Sequence, residues 1–426
     1  MQREVLIVGV NHHTASVAVR EQLAFNNGTL EDALGRLLTL APIDEGAILT
    51  TCNRVEVVAA TGDGDAAVDA LTNFLAERKR DQPATVADHL SVYRGRDGIR
   101  HLFRVAASLD SMVLGEPQIL GQLKELYDRA AKSGATGPVL HRCFHRSFKV
   151  AKRVRTETGI ASGAVSVSTA AVELACKIFD SLEDKTAMLI GAGTMGELAA
   201  RHLLSHGVRS LIVTNRTFDR AVELAREFKG TPVPFEDLGT YLHLADVVIG
   251  STAAAEPVLT PTVVQQVLRQ RKYRPVFLID MSVPRNFDPQ INALDNVYLY
   301  DIDDLGGIAE VNRDERGREA DRAADIIEEE VDGFYRWLGS LEVVPTIVAL
   351  RDKAERIRQA ELARTLGAHP ELSPEARAAV DAMTNAIVNK ILHAPLTRLK
   401  DQDRRQEAHY LDAARHLFGI EDPEDS

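Results

Sequence analysis

The apolar run Ala187-Met188-Leu189-Ile190 leads straight into Gly191-Ala192-Gly193-Thr194-Met195-Gly196, and the helix-forming stretch Gly196–Leu204 follows. A glycine pattern is a weak signal alone. Placed between a strand and a helix it becomes a phosphate cradle, with the amides of a helix N-terminus turned towards an anion. Gly191 permits the tight turn, Gly193 lets the backbone approach a pyrophosphate, and Gly196 allows close packing of helix on strand. Four more short apolar runs follow the first, Thr186–Ile190: Ser210–Thr214, Val247–Gly250, Val276–Asp280 and Val297–Tyr300. Between the first four lie segments long enough for crossover helices, which predicts a doubly wound parallel sheet of the Rossmann type over residues 159–303.

The end of the second run reads Val213-Thr214-Asn215-Arg216-Thr217. A site built for NAD usually carries an acid there, for the ribose 2′-hydroxyl. Asn215, Arg216 and Thr217 instead offer donors and a cation, which suit a 2′-phosphate, so NADPH is favoured over NADH. The cofactor set is therefore Gly191, Ala192, Gly193, Thr194, Met195, Gly196, Asn215, Arg216 and Thr217.

At 426 residues the chain is too long for one core, and its length suggests about two or three domains. Residues 1–158 read as an α+β domain. Strands are expected at Val5–Val10, Ala47–Thr50 and Val55–Ala60, with helices at Leu30–Leu40, Gly98–Leu109, Ile119–Ser133 and Val139–Arg155. Residues 304–426 are rich in helix formers. Ile327, Val331, Phe334, Leu338 and Leu341 step by four, three, four and three, a heptad-like stripe. A long helix is expected there, interrupted at Pro345 and followed by helices at Ile347–Leu366 and Pro374–Leu392, with the stripe facing a second copy in a homodimer. The chain is 45% hydrophobic and 26% charged with no apolar run of membrane-spanning length, and it starts without a signal-peptide layout. Cysteines at 52, 143 and 176 are too dispersed for a disulfide framework or a zinc knuckle, and no metal site is expected. A cytoplasmic protein is the simple reading.

The net charge of −12 argues against general nucleic-acid affinity. It leaves room for one basic face. Arg142, Arg146, Lys149 and Arg153 fall on one side of a helix, which suits a solvated surface or, more sharply, an acceptor stem or cofactor phosphate.

Cys52 sits in Thr50-Thr51-Cys52-Asn53-Arg54-Val55-Glu56, a polar turn between two expected strands. A cysteine is more often a small buried hydrophobe than a nucleophile. Arg54 offers either a lowered thiol pKa or a partner for a substrate carboxylate, so both readings of Cys52 stand. Cys143 and Cys176, in apolar helical contexts, suit packing. A nucleophilic sulfur and a dinucleotide site together suit one chemistry in particular: a thiolate holds an acyl group as a thioester, and a hydride reduces it to an aldehyde.

Three blocks carry a resemblance to the glutamyl-tRNA reductase family. They are Gly9-Val10-Asn11-His12-His13-Thr14-Ala15, Thr51-Cys52-Asn53-Arg54-Val55-Glu56, and Ser108-Leu109-Asp110-Ser111-Met112-Val113-Leu114-Gly115-Glu116-Pro117-Gln118-Ile119. The glycine turn, Asn215-Arg216-Thr217 and Asp280-Met281-Ser282-Val283-Pro284-Arg285 agree with it, but the first two of these also occur in shikimate dehydrogenases. Ser16 and Thr194 depart from common family residues, away from the implied chemistry. The resemblance implies that Cys52 forms a glutamyl thioester and releases the tRNA. It also implies that Thr51, Arg54, Ser111, Glu116, Gln118 and Gln122 surround the glutamyl group, with Asn53 and Pro117 in the same blocks, and that His101 is linked to activity. The product would be glutamate-1-semialdehyde, the start of tetrapyrrole synthesis, with hand-over to an aminomutase. The distance in sequence between the sulfur and the cofactor residues predicts separate domains that must approach for hydride transfer. A shikimate-type NADP dehydrogenase, which leaves Cys52 idle, and a non-enzymatic NADPH-sensing regulator are the competing readings.

Overall fold

The computed structural model describes residues 3–25, 28–78, 84–112, 114–115, 118–160, 167–179, 181–310, 317–400 and 409–420. The chain divides into two compact units, Glu4–Val331 and Asp332–Ser426, the latter joined by the first three residues.

The first unit contains two sheets. Strands β1 (Glu4–Asn11), β2 (Glu45–Thr50), β3 (Arg54–Thr61) and β4 (Ser91–Arg94) form an antiparallel sheet in the order β2-β3-β1-β4. Val5, Leu6, Ile7 and Val8 of the interior strand β1 are all buried, so helices cover both of its faces. Strands β5 (Thr186–Ile190), β6 (Ser210–Asn215), β7 (Thr231–Pro234), β8 (Val247–Gly250), β9 (Val276–Asp280) and β10 (Val297–Tyr300) form a parallel sheet in the order β10-β9-β8-β5-β6-β7. Successive side chains of a strand point to opposite faces. Ala187 and Leu189 accordingly join one apolar cluster, and Met188 and Ile190 another. Both faces are dry, as a doubly wound parallel sheet requires.

The cluster containing Leu189 also takes in Val17 and Met112 from the N-terminal part of the chain, and Cys52 packs against it. Parts of the N-terminal region thus pack into the core of the parallel sheet. A Cβ added at Gly306 would come within 2.1 Å of the Met112 sulfur, so the fit there is close.

The helix expected to stop at Pro345 does not. It runs unbroken from Gly317 to Ala368, 52 residues with Pro345 inside. A proline within a helix costs about 3 kcal/mol in a lost hydrogen bond and a ring clash. Val343 and Ile347, on either side of it, are buried with Leu350 against Leu392 and Leu396, and this packing carries the helix through. The following helix, Pro374–Lys400, likewise contains Pro395. The heptad-like stripe also departs from expectation. Ile327, Val331, Phe334 and Leu338 are buried within the single chain rather than left for a second copy.

Candidate active site

Strands β2 and β3 pair up to Thr50 and Val55, and Thr51 N–H donates to the Arg54 carbonyl at 2.9 Å. Cys52 and Asn53 are therefore the two tip residues of a tight hairpin. The Thr51 hydroxyl closes it by accepting from the Asn53 and Arg54 amides, each at 3.2 Å, in place of a backbone carbonyl. That turn holds Cys52 half-buried at the end of a rigid sheet.

Beneath the hairpin lies a buried charged network. The Arg54 guanidinium, 1% exposed, donates to Glu56 at 3.1 Å and to the Asp110 carboxylate at 3.0 Å, and also to the Asp110 carbonyl. Glu56 Oε1 lies 2.9 Å from His101 Nε2, and the His101 ring stacks on Tyr93 with centroids 3.9 Å apart. Burial alone would push the Glu56 carboxyl up, but Arg54 and His101 overcome it and hold it at about 2. Burial likewise works against the Arg54 charge, and Glu56 and Asp110 more than restore it. The charge of Arg54 is thus met by carboxylates of its own chain. His101 does not line either of the two cavities at Cys52, and among the described residues Glu56 and Arg54 link it to the hairpin.

Around this network sit polar atoms that are buried and lack a hydrogen-bond partner among the described residues: Asn53 Oδ1, Arg54 Nε, Ser111 Oγ, Gln118 Nε2 and both ring nitrogens of His12. Each such atom costs about 1–3 kcal/mol unless something answers it. Their concentration beside one cysteine marks a site shaped for a small polar ligand. His12 is held neutral, its pKa lowered to about 3 by burial, then by His13 and Arg54. Glu116 and Pro117 lie outside the described residues.

A cavity of about 500 Å³ opens from Cys52. Gln118 and Gln122 border it on one side, and Gly193, Thr194, Asn215 and Arg216 on the other. Cys52 and the glycine-turn residues, expected on separate domains that must approach, line one space. A second cavity, of about 290 Å³, meets Cys52 from another direction, bordered by Thr50, Thr51, Glu125 and Arg129. Cys52, Gln122, Ala253 and Val283 border both cavities.

The Gly191–Gly196 turn packs closely against Ser251. Gly191 has a φ of +102° and a Cβ there would lie 2.2 Å from the Ser251 carbonyl oxygen; at Gly193 it would lie 2.2 Å from the Ser251 hydroxyl. Gly191 accepts no side chain, and Gly193 accepts one only if the Ser251 side chain moves aside. Ala192 and Met195 also border the large cavity, whereas Gly191, Gly196 and Thr217 do not line it. Arg216 makes no ion pair among the described residues, which leaves a free cation at the rim of the cavity. Sequence reasoning missed Ser251–Ala254 and gave no site role to Met281–Val283 within the Asp280–Arg285 block; both complete the wall. Both segments directly follow strands, β8 and β9, where ligands of open α/β sheets bind, and that position was the available signal.

Two other candidates resolve differently. Cys143 is fully buried and its thiol is pushed up by burial, and Cys176 is half-buried with its thiol raised for the same cause. Both belong to packing. The basic helix face meets acids of the long helix: Arg153 pairs with Glu329 at 2.8 Å and with Glu330 at 3.0 Å, and Arg146 also pairs with Glu330. At least two of its four cations are spent inside the chain.

Residues 8–158 match the family described as the glutamyl-tRNAGlu reductase N-terminal domain. Residues 173–308 match the shikimate/quinate 5-dehydrogenase family, and residues 322–420 the glutamyl-tRNAGlu reductase dimerisation domain. A glutamyl-tRNA reductase of Geotalea daltonii is 50% identical over 419 residues, covering 98% of this chain and 96% of that relative. One from Syntrophotalea carbinolica is 52% identical over 417 residues, covering 97% and 94%. The solved structure of glutamyl-tRNA reductase from Methanopyrus kandleri is 34% identical, with a TM-score of 0.47 and coverage of 98% of this chain and 99% of that one.

Proposed function

This chain belongs to the glutamyl-tRNA reductase family, oxidoreductases whose reaction opens tetrapyrrole synthesis, and on that premise we propose that it reduces glutamyl-tRNA to glutamate-1-semialdehyde through a thioester on Cys52. The observation that carries the proposal is the position of Cys52. It stands where the orphaned polar atoms, the cofactor cavity and the second cavity meet.

An acyl carbon under attack has to accommodate its own side chain, a leaving group and later a hydride, each from a different direction. Asn53, Arg54, Ser111 and Gln118 present the unanswered polar atoms that suit the amine and carboxylate of a glutamyl group, with Thr51 and Gln122 beside them. The second cavity, bordered by Arg129, gives the terminal nucleoside of the tRNA its approach and departure. The Cys52 thiolate attacks the ester carbonyl, the carbon–oxygen bond to the ribose breaks, and the ribose hydroxyl leaves with a proton. His101 acts at one remove, fixing Glu56 and, through it, Arg54 and the hairpin that aims the sulfur.

A nicotinamide cofactor serves the reaction, and NADPH is the form we propose. Its pyrophosphate would lie on the turn at Gly193, where no side chain covers the backbone, and its 2′-phosphate beside Arg216 and Asn215. When bound, it supplies the hydride that takes the acyl group to the aldehyde.

A homodimer fits the matched dimerisation domain. Met383, Ile387 and Ile391, four residues apart on one helix, are 56%, 48% and 64% exposed, and they offer an apolar face for a second copy. The cytoplasm is the proposed compartment, and the aminomutase that consumes the aldehyde the proposed recipient of it.

The deciding experiment mixes the purified protein with glutamyl-tRNA and NADPH and follows both cofactor oxidation and aldehyde formation. Turnover of a free keto acid without tRNA would instead favour the simple dehydrogenase. Binding of NADPH with no turnover would favour a sensor.

A further inference from the structure

The short helix Val17–Leu23 carries two adjacent charged residues, and both reach across to the cofactor-binding part of the unit. Arg20 has a side chain with 0% exposure. It donates to the Asp303 carboxylate at 2.6 Å, to the Ala15 carbonyl at 2.7 Å and, through Nε, to the carbonyl of Cys52 at 3.1 Å. Asp303 also accepts from the Val17 amide at 2.8 Å. Glu21 takes the Arg285 side chain in a two-pronged grip, at 3.1 Å from Nε and 2.8 Å from Nη2, and accepts its backbone amide at 3.3 Å. Arg285 lies two residues beyond Val283, which borders both cavities, and Asp303 follows β10. The two anchor points therefore sit after neighbouring strands at one edge of the parallel sheet.

We infer that Arg20 and Glu21 form a clamp that fixes the distance between the Cys52 hairpin and the cofactor cavity, and so decides whether the thioester is reduced or hydrolysed. The inference rests on the thioester reading above. Two outcomes compete for that thioester. In reduction, a hydride from NADPH adds to the acyl carbon, the oxyanion takes a proton, the carbon–sulfur bond breaks, and the aldehyde leaves with NADP⁺ formed and the thiol restored. In hydrolysis, water adds to the same carbon and the same bond breaks, giving free glutamate with no redox change. Only reduction requires the nicotinamide to be held against Cys52, and small misplacements of reacting groups are costly to rate. Arg20 grips the nucleophile's own backbone and Asp303 with one guanidinium, which ties the two halves of the site together. A buried pair broken on one side leaves an uncompensated charge, so Arg20 suits a structural strut better than a test site. Glu21 and Arg285, each about one-fifth exposed, can be exchanged.

The test uses the full-length enzyme with Arg285→Glu, Glu21→Gln and the charge exchange Glu21→Arg/Arg285→Glu. Without NADPH, each variant is expected to acquire the glutamyl label on Cys52 from radiolabelled glutamyl-tRNA as the wild type does. With NADPH, the ratio of aldehyde to free glutamate is expected to fall at least ten-fold in the single variants and to recover substantially in the exchange. A second readout needs no turnover: NADP⁺ should slow alkylation of Cys52 by iodoacetamide in the wild type, followed on the Cys52 peptide by mass spectrometry. That protection should weaken in the single variants even with NADP⁺ saturating. An unchanged product ratio, an unchanged protection, or equal loss of labelling and reduction would overturn the clamp. If Arg285→Glu does not fold, Glu21→Gln decides alone. A wild type that takes no label and makes no aldehyde would instead sink the thioester reading itself.

Discussion

Glu56 Oε1 lies 2.9 Å from His101 Nε2, so a histidine with no place in either cavity is tied by one carboxylate to the arginine that follows the cysteine hairpin. The Glu56 carboxyl is held at about 2, below its ordinary value of 4.5, because Arg54 and His101 outweigh the opposing effect of burial. A depressed carboxyl contributes stability that is present above pH 4.5 and is lost as the pH falls towards 2. Glu56→Gln should therefore be clearly less stable than wild type at neutral pH, by up to about 3–5 kcal/mol for a broken buried pair. The gap should narrow progressively below pH 4.5. Thermal melts of both proteins across that range check it. A gap that stays constant to pH 2 would mean Glu56 is not ionised in the fold.

Cys52→Ser tests the nucleophile. The Thr51 hydroxyl closes the hairpin, and serine is close to cysteine in size, so the variant should fold and bind NADPH normally. Aldehyde formation should drop below detection in a steady-state assay. Near-normal turnover would remove Cys52 from the chemistry.

Arg216→Ala tests the cofactor preference. A charge-assisted hydrogen bond contributes about 1.5–3 kcal/mol, so NADPH binding should weaken by roughly ten-fold or more. NADH, with no 2′-phosphate, should lose little. Titration of both cofactors decides it, and equal losses would place the phosphate elsewhere.

What the sequence revealed, and what it hid, follows the range of the interactions concerned. The Gly191–Gly196 turn was legible because strand, turn and helix are consecutive. The Cys52 hairpin was legible because two apolar runs bracket four polar residues. Strands β4 and β7 escaped notice as short edge strands, and β7 carries Pro232 and Pro234, which argue locally against a strand. Pro345 misled because its local rule is overridden by the burial of Val343 and Ile347 against residues some 45–50 positions away. The grip of Arg20 on Cys52, of Asp110 on Arg54 and of Ser251 on the glycine turn spans 32, 56 and 55 residues. No local pattern announces such partners. The stripe at Ile327–Leu338 was correctly read as apolar, but periodicity alone does not say whether the covering surface belongs to the same chain.

Ile387→Asp with Ile391→Asp tests the exposed helical face. Both side chains lie open in the single chain, so the fold of each protomer should survive. Light scattering coupled to size exclusion should show a shift from dimer to monomer with unchanged helix content. A variant that remains dimeric would direct the search to another face.

The two half-reactions should separate at Gly193. An added Cβ there would lie 2.2 Å from the Ser251 hydroxyl, and an aspartate would also bring a negative charge to the surface proposed for the pyrophosphate. Gly193→Asp should thus abolish NADPH binding while leaving the hairpin, Arg54 and the orphaned polar atoms intact. Mixed with radiolabelled glutamyl-tRNA and then denatured, this variant should retain label on the chain, and hydroxylamine should release it as it does a thioester. No aldehyde should form when NADPH is added. The wild type without NADPH should behave identically, and Cys52→Ser should take no such label. Acylation precedes reduction in this scheme, so label that appears only when NADPH is bound would overturn the order of steps.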